Sequence, residues 1–404
     1  MGHGKLVCLS LLALGTVGVA AACGSAAAPA APDESSNTGG KGDNPGKGGS
    51  PGTGKAGNSG GGAGGKADPE PKDAGSGGAP VLEPDANADV PPAPDMALPP
   101  EPDAAGPPSL DMAAPPGEFP LAAVKAAKPA LYIAANAHPE GATYRDGELF
   151  FAADGAGWGL MRVDAGRKLY RYHPKLQPIG SYLLADGSML YCDHVYVLVQ
   201  VFKDGSVAQL ATDFGGQAIE NCNDVTVDGQ GNLYVTARHT GFIYRITPAG
   251  AVAKVAGGLD LPNGVEVDRD SKYLYFGTTG TLERVLLPQN GSSTFPNPEK
   301  VAAPDHSDGM QFDTWGNLWV VSYGAKQIIV YTPDGKVITT IGVANPINLT
   351  FGGQGNDTIF VESDFKGIYQ IGPIAGLRGF SHPGAAKYTV KKMLDLVPAN
   401  ELVK

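Results

Sequence analysis

The sequence predicts an all-β, six-bladed β-propeller preceded by a signal peptide and a long disordered linker. Three observations carry this reading. The chain opens on a short apolar segment, continues through a Gly/Pro-rich stretch without apolar periodicity, and then repeats one strand–turn–strand pattern six times.

Residues 1–23 read as a secretory signal: Lys5 is the basic start, Leu6–Ala21 is apolar, and Ala20-Ala21-Ala22-Cys23 follows. Small residues directly before a cysteine resemble a bacterial lipobox, which makes Cys23 the expected lipidation site and anchor. Ordinary cleavage and an uncleaved anchor helix are the alternatives. All three place the rest of the chain outside the cytoplasm, and the lipobox reading puts it in the bacterial cell envelope, on a membrane.

Residues 24–118 form the linker. "GGSPGTGKAGNSGGGAGGKADPEPKD" is Gly/Ser-rich and "PDANADVPPAPDMALPPEPDAAGPP" is Pro/Ala/Asp-rich. Neither buries enough apolar surface to offset the entropy of ordering. At Gly-rich stiffness its reach is on the order of 55 Å, enough to hold a domain clear of a membrane. The linker also accounts for the acidity, with 14 Asp/Glu against 5 Lys in a chain of net charge −11. The remainder is close to neutral and shows no basic stripe, so nucleic acid is not an expected partner. A small-molecule substrate and a monomer are.

Residues 119–404 carry the repeat, seen in "YRDGELFF", "LADGSMLYC", "VDGQGNLYV", "VDRDSKYLYF", "FDTWGNLWV" and "FGGQGNDTIFV". Leu149, Leu190, Leu233, Leu274, Leu318 and Ile359 mark successive copies, spaced 41, 43, 41, 44 and 41 residues apart. The segments alternate at period two, which excludes helical solenoids of similar period. Either "ALYIAA" (Ala130–Ala135) or the C-terminal "KYTVKKMLDLV" supplies the strand that closes the ring.

In a propeller the first strand of each blade lines the central channel. Counting back 9 to 11 residues from the markers finds Glu140, Asn223, Asn263 and Asp308, each followed by Gly or Asp. The same count gives Gly180 in blade two and Leu349, preceded by Asn348, in blade six. Asn-Gly, Asp-Gly and Asn-Asp are also good turn formers, yet four oxygen side chains at one structural position exceed what turns require. Two carboxylates and two amides without sulfur suit one hard divalent cation, Ca²⁺ first, with Mg²⁺, Mn²⁺ or Zn²⁺ as alternatives.

These residues also carry a resemblance. "HPEGATY", "NCNDVTVDGQGNLYVT", "LPNGVEVD", "HSDGMQFDTWGNLWVV" and "NPINLTFGG" resemble segments of the senescence-marker-protein/regucalcin/gluconolactonase family of six-bladed propellers, over about residues 130–385. The resemblance implies that Glu140, Asn263 and Asp308 bind one metal, with Asn223 on the metal or the substrate. The departures concern substrate. Family lactonases often have an Arg and a Pro before Asn-Asp, where this chain has Ala218 or Asn221, and Cys222. A common Thr-Asp-Pro is replaced by Thr236-Ala237-Arg238, followed by His239. Arg238 and His239 are therefore candidate substrate contacts, as are Asn348 and His194, which stands where the family often places a channel histidine. His138 and His306 flank ligands and are read as shaping turns.

Cys192 and Cys222 are the cysteines of this domain. Export permits a disulfide, but without readable geometry the expectation is two buried free thiols. The resulting functional expectation is a metal-dependent hydrolase of a lactone or related ester, with Asp308 as general base, Glu140 as the fixed anionic ligand, and Asn263 and Asn223 orienting metal and substrate. The alternatives are phosphotriester hydrolysis, with a carboxylate attacking phosphorus, and a tethered, non-catalytic binding propeller.

Overall fold

The computed structural model describes residues 117–154, 159–214, 217–219, 222–382 and 387–403. The expected signal peptide, the Cys23 lipidation site and nearly all of the expected linker lie outside these residues. Among the described residues, no helix is long and apolar enough to cross a membrane.

Six antiparallel sheets form the blades, four of them four-stranded and two, blades one and two, carrying a fifth strand. Their first strands are His138–Arg145, Pro178–Leu183, Cys222–Val227, Val265–Val267, Ser307–Phe312 and Pro346–Gly352. Each touches the next, and the sixth touches the first, so they enclose a common axis. All six marker residues fall on the second strand of their blade, at the hairpin from the first. The Gly-containing turns form those hairpins: Gly147, Gly187, Gly231, Gly316 and Gly353 all adopt φ between 80° and 88°, a region other residues enter at a cost.

The hydrophobic core is divided among the blade interfaces. Phe150 packs toward blade two with Tyr191 and Val199, while its neighbours Leu149 and Phe151 pack toward blade six with Phe360 and Ile368. Four further clusters fill the remaining interfaces. Because successive side chains of a strand point to opposite faces, second strands buried on both faces become continuous apolar runs such as "LWVV".

Ring closure falls to the N-terminal candidate. Ala130–Ala134 pairs with Gly367–Ile371 as the outer strand of blade six, with Ala130 opposite Gln370. The C-terminal segment takes another role. Lys392–Leu394 adds to the outer strand of blade two and Glu401–Leu402 to that of blade one, covering two exposed sheet edges. A short helix, Leu121–Ala126, precedes the ring and buries Val124 in the cluster between blades five and six.

The cysteines correct the expectation of free thiols. Cys192 and Cys222 form a disulfide, with Cα atoms 5.2 Å apart. Both are buried in the interface between blades two and three. Free thiols were expected because this proximity arises from blade packing across 30 residues of sequence separation.

Candidate functional site

At one end of the axis the entries of the first strands surround a cavity of about 470 Å³. Glu140, Asn223 and Asp308 line it, with Asn263 buried beside Asp308. The structure thus brings the four predicted ligands together. Their following residues are not turn formers. A Cβ on Gly141 would stand 1.8 Å from the Ile179 carbonyl oxygen, and one on Gly264 would stand 2.1 Å from that of Asp308. The first strands approach so closely around the axis that glycine is required behind the ligand. In blade three Asp224 fills that place, its Oδ1 accepting from the Val225 N–H (2.9 Å) and its Oδ2 from the Val265 N–H (3.3 Å).

The same ring contacts correct the assignments in blades two and six. Gly180 packs against Asn223 and Asp224, and Asn348 abuts Gly309, so both occupy the position after the ligand. The residues facing the cavity are Ile179 and Ile347. Counting back from the markers misplaced them because the stretch between this position and the marker varies in length, from 9 residues in blade one to 12 in blade six. Asn348 therefore does not join the other substrate candidates. Its Oδ1 accepts from the Leu349 N–H (2.8 Å), and it lines a second cavity farther along the channel. His194, Arg238 and His239 do line the first cavity, with His306 and Tyr323 beside them.

Glu140 and Asp308 are only 9% and 8% exposed. Among the described residues, neither accepts a backbone N–H and Asp308 has no salt bridge. Burial, and then the charge of Glu140, push the Asp308 carboxyl well above the usual range; Arg238 and His138 oppose this. Asn263 Nδ2 is buried without a hydrogen-bond partner, and a half-turn of its amide presents the oxygen instead. Two mutually repelling carboxylates and an orphaned amide around one cavity fit a hard divalent cation, which would remove the repulsion and use the free amide.

Three features were missed from sequence. His138 does more than shape a turn: its Nε2 lies 3.0 Å from Glu140 Oε1 and its Nδ1 lies 2.8 Å from Asp364 Oδ1. The hydrogen bond to Glu140 above all raises its pKa to about 9. The i, i+2 spacing of His138 and Glu140 on a strand signalled a shared face; Asp364, 226 residues away, could not be foreseen. Glu362 is fully buried, accepts from the Ala142 N–H (2.5 Å), and is pushed up to about 8 by burial. The Cys222 end of the disulfide lines the cavity directly before Asn223.

Comparisons with known proteins agree with the fold and narrow the class. Diisopropyl-fluorophosphatase of Loligo vulgaris is 28% identical over 239 residues, covering 50% of this chain and 76% of its own. A pentonolactonase of Haloferax volcanii is 25% identical over 221 residues, covering 49% and 74%. Among solved structures, a calcium-binding protein, regucalcin, from Agrobacterium tumefaciens superposes with a TM-score of 0.52 at 19% identity, covering 63% of this chain and 95% of its own. The model of the SMP-30/gluconolactonase/LRE-like region matches residues 138–364, more than half of the chain. This protein belongs to the SMP-30/gluconolactonase/LRE-like family.

Proposed function

We propose that the protein is an exported, metal-dependent hydrolase that opens a lactone or related ester at a divalent-cation centre on the propeller axis. The observation that carries this is the convergence of buried Glu140 and Asp308 with Asn223 and Asn263 on one open cavity, without a compensating salt bridge at Asp308. The donor set is two carboxylates, Glu140 and Asp308, and two amides, Asn223 and Asn263. That keeps the ligand charge at −2 and suits Ca²⁺, with Mg²⁺, Mn²⁺ or Zn²⁺ as alternatives.

A divalent cation held there supplies Lewis-acid polarisation of the scissile carbonyl. Asp308 acts as general base, placed on the cavity wall to accept a proton from the attacking water. His138, bound also to Asp364, fixes the orientation of Glu140. Asn223 orients the substrate from the wall. The names of the relatives, a pentonolactonase and a fluorophosphatase, support ester hydrolysis at carbon or phosphorus. For the phosphorus reading, a carboxylate of the centre attacks directly.

The disulfide supports an oxidising, exported location. Lipid anchoring at Cys23, a bacterial envelope location and a monomeric state belong to the same proposal. The test is metal analysis of the purified protein, followed by lactone and phosphotriester panels before and after chelation. Chelator-sensitive turnover on the lactone panel is expected. Stoichiometric metal with no turnover on either panel identifies a binding propeller and overturns the hydrolase reading.

A further inference from the structure

At the corresponding positions of the six blades, four residues form the centre: Glu140, Asn223 and Asp308 line the cavity and Asn263 is buried beside Asp308. The other two, Ile179 and Ile347, stand in the blades on either side of Glu140. They add two hydrocarbon side chains to a wall that also carries His138, His194 and Asp364. A substrate hydroxyl set directly against either isoleucine would lose water without gaining a partner from it, which favours an apolar group at that place. The wall next to it, in blade three, differs. Arg238 follows the second strand of blade three, is half-buried in the cavity wall, and projects its charge as far as Asp308. Among the described residues it forms no salt bridge. The acids around it are otherwise engaged: Glu140 and Asp308 belong to the centre, and Asp364 is held by His138 at 2.8 Å. An unpaired guanidinium in a concave wall is a planar, two-pronged receptor for a carboxylate or phosphoryl group.

We infer that the substrate is an ester or lactone with an apolar body and an anionic substituent, the anion gripped by Arg238 and the body seated on Ile179 and Ile347. This rests on the hydrolase reading and departs from sugar lactones. Catalysis at the centre and recognition at Arg238 are separate, so they fail separately.

The experiment uses the full chain loaded with Ca²⁺. A carboxyalkyl γ-lactone and its methyl ester are compared on wild type, Arg238→Gln and Arg238→Lys, and hexanoate binding is measured by calorimetry with hexanamide as control. The expected result is a preference of wild type for the acid. Arg238→Gln should raise KM for the acid on the order of 10- to 100-fold, and far more than for the methyl ester. Arg238→Lys should recover only part, because it keeps the charge and loses the fork. Ile179→Thr should shift relative turnover toward hydroxylated lactones. Hexanoate should bind wild type more tightly than hexanamide does, and Arg238→Gln should erase that difference. If no ester is hydrolysed while the hexanoate result holds, the hydrolase reading fails and the recognition of an apolar anion stands. Equal handling of acid and methyl ester with hexanoate binding unchanged in Arg238→Gln overturns the inference.

Discussion

Buried carboxylates occur in two regions along the axis, and their surroundings differ. In the cavity of about 630 Å³ farther along the channel, Asp224 and Glu266 are partnered. Asp224 accepts two backbone N–H groups, and Glu266 Oε1 accepts from Thr226 Oγ (2.8 Å) and the Val267 N–H (3.2 Å). Two of these bonds, from Val265 to Asp224 and from Thr226 to Glu266, tie blades three and four together. In the first cavity, among the described residues, Glu140 is hydrogen-bonded to His138 and neither it nor Asp308 accepts a backbone N–H. Burial of a charged group is costly unless it is paired, so the satisfied acids are read as mortar and the unsatisfied ones as a site.

The comparison is broken first at Asp308. Asp308→Ala should abolish turnover, lowering kcat/KM by on the order of 10³-fold or more, with the fold retained by circular dichroism. Retained activity with intact metal affinity removes Asp308 from the mechanism. Gly264→Ala should act on the same centre from behind. Its Cβ would fall 2.1 Å from the Asp308 carbonyl oxygen, so the strand carrying Asp308 must move. We expect a loss of several kcal/mol in stability together with reduced metal affinity, read by denaturant titration and calorimetry. Normal stability in this variant contradicts the tight ring.

The disulfide sharpens the boundary between site and scaffold. Replacing Cys192 and Cys222 by Ala should destabilise the protein by about 3–4 kcal/mol in the loop-entropy model. An unchanged denaturation midpoint would show that the blade interface is stable without it. For the partnered acids the expected effect is smaller and depends on pH. Burial raises Glu266 to about 8, above its unfolded value, so the native state binds the extra proton. Its contribution is full below about pH 4.5 and is lost as pH rises through about 8. Glu266→Gln should flatten the decline of Tm between these limits, by several degrees at the upper end. An identical pH profile in the variant removes this group as the cause. The smallest effect is expected at His138: His138→Ala should weaken metal binding about 10- to 100-fold, with partial recovery in His138→Gln. Undiminished metal affinity in His138→Ala would separate it from Glu140.

What could be read in advance followed from local periodicity. Strand alternation and a repeat near 41 residues are written into each blade, and the position of a ligand before its strand recurs with them. Glu140, Asn223, Asn263 and Asp308 were legible for that reason, since each is identified within its own blade. Counting failed in blades two and six, where the position lies 11 and 12 residues before the marker and no polar side chain marks it, and Ile179 and Ile347 replaced the expected residues.

The sequence by itself determined the number of blades, the continuous apolar second strands and the four polar groups at the centre, because these depend on residues close in the chain. Only the tertiary structure decided that Ala130–Ala134 closes the ring, that Cys192 meets Cys222, and that His138 reaches Asp364. Each of those contacts joins different blades, and their geometry arises only when six interfaces pack around one axis. Which buried acid finds a hydrogen-bond partner in the next blade is also decided there, as for Asp224 with the Val265 N–H and Glu266 with Thr226.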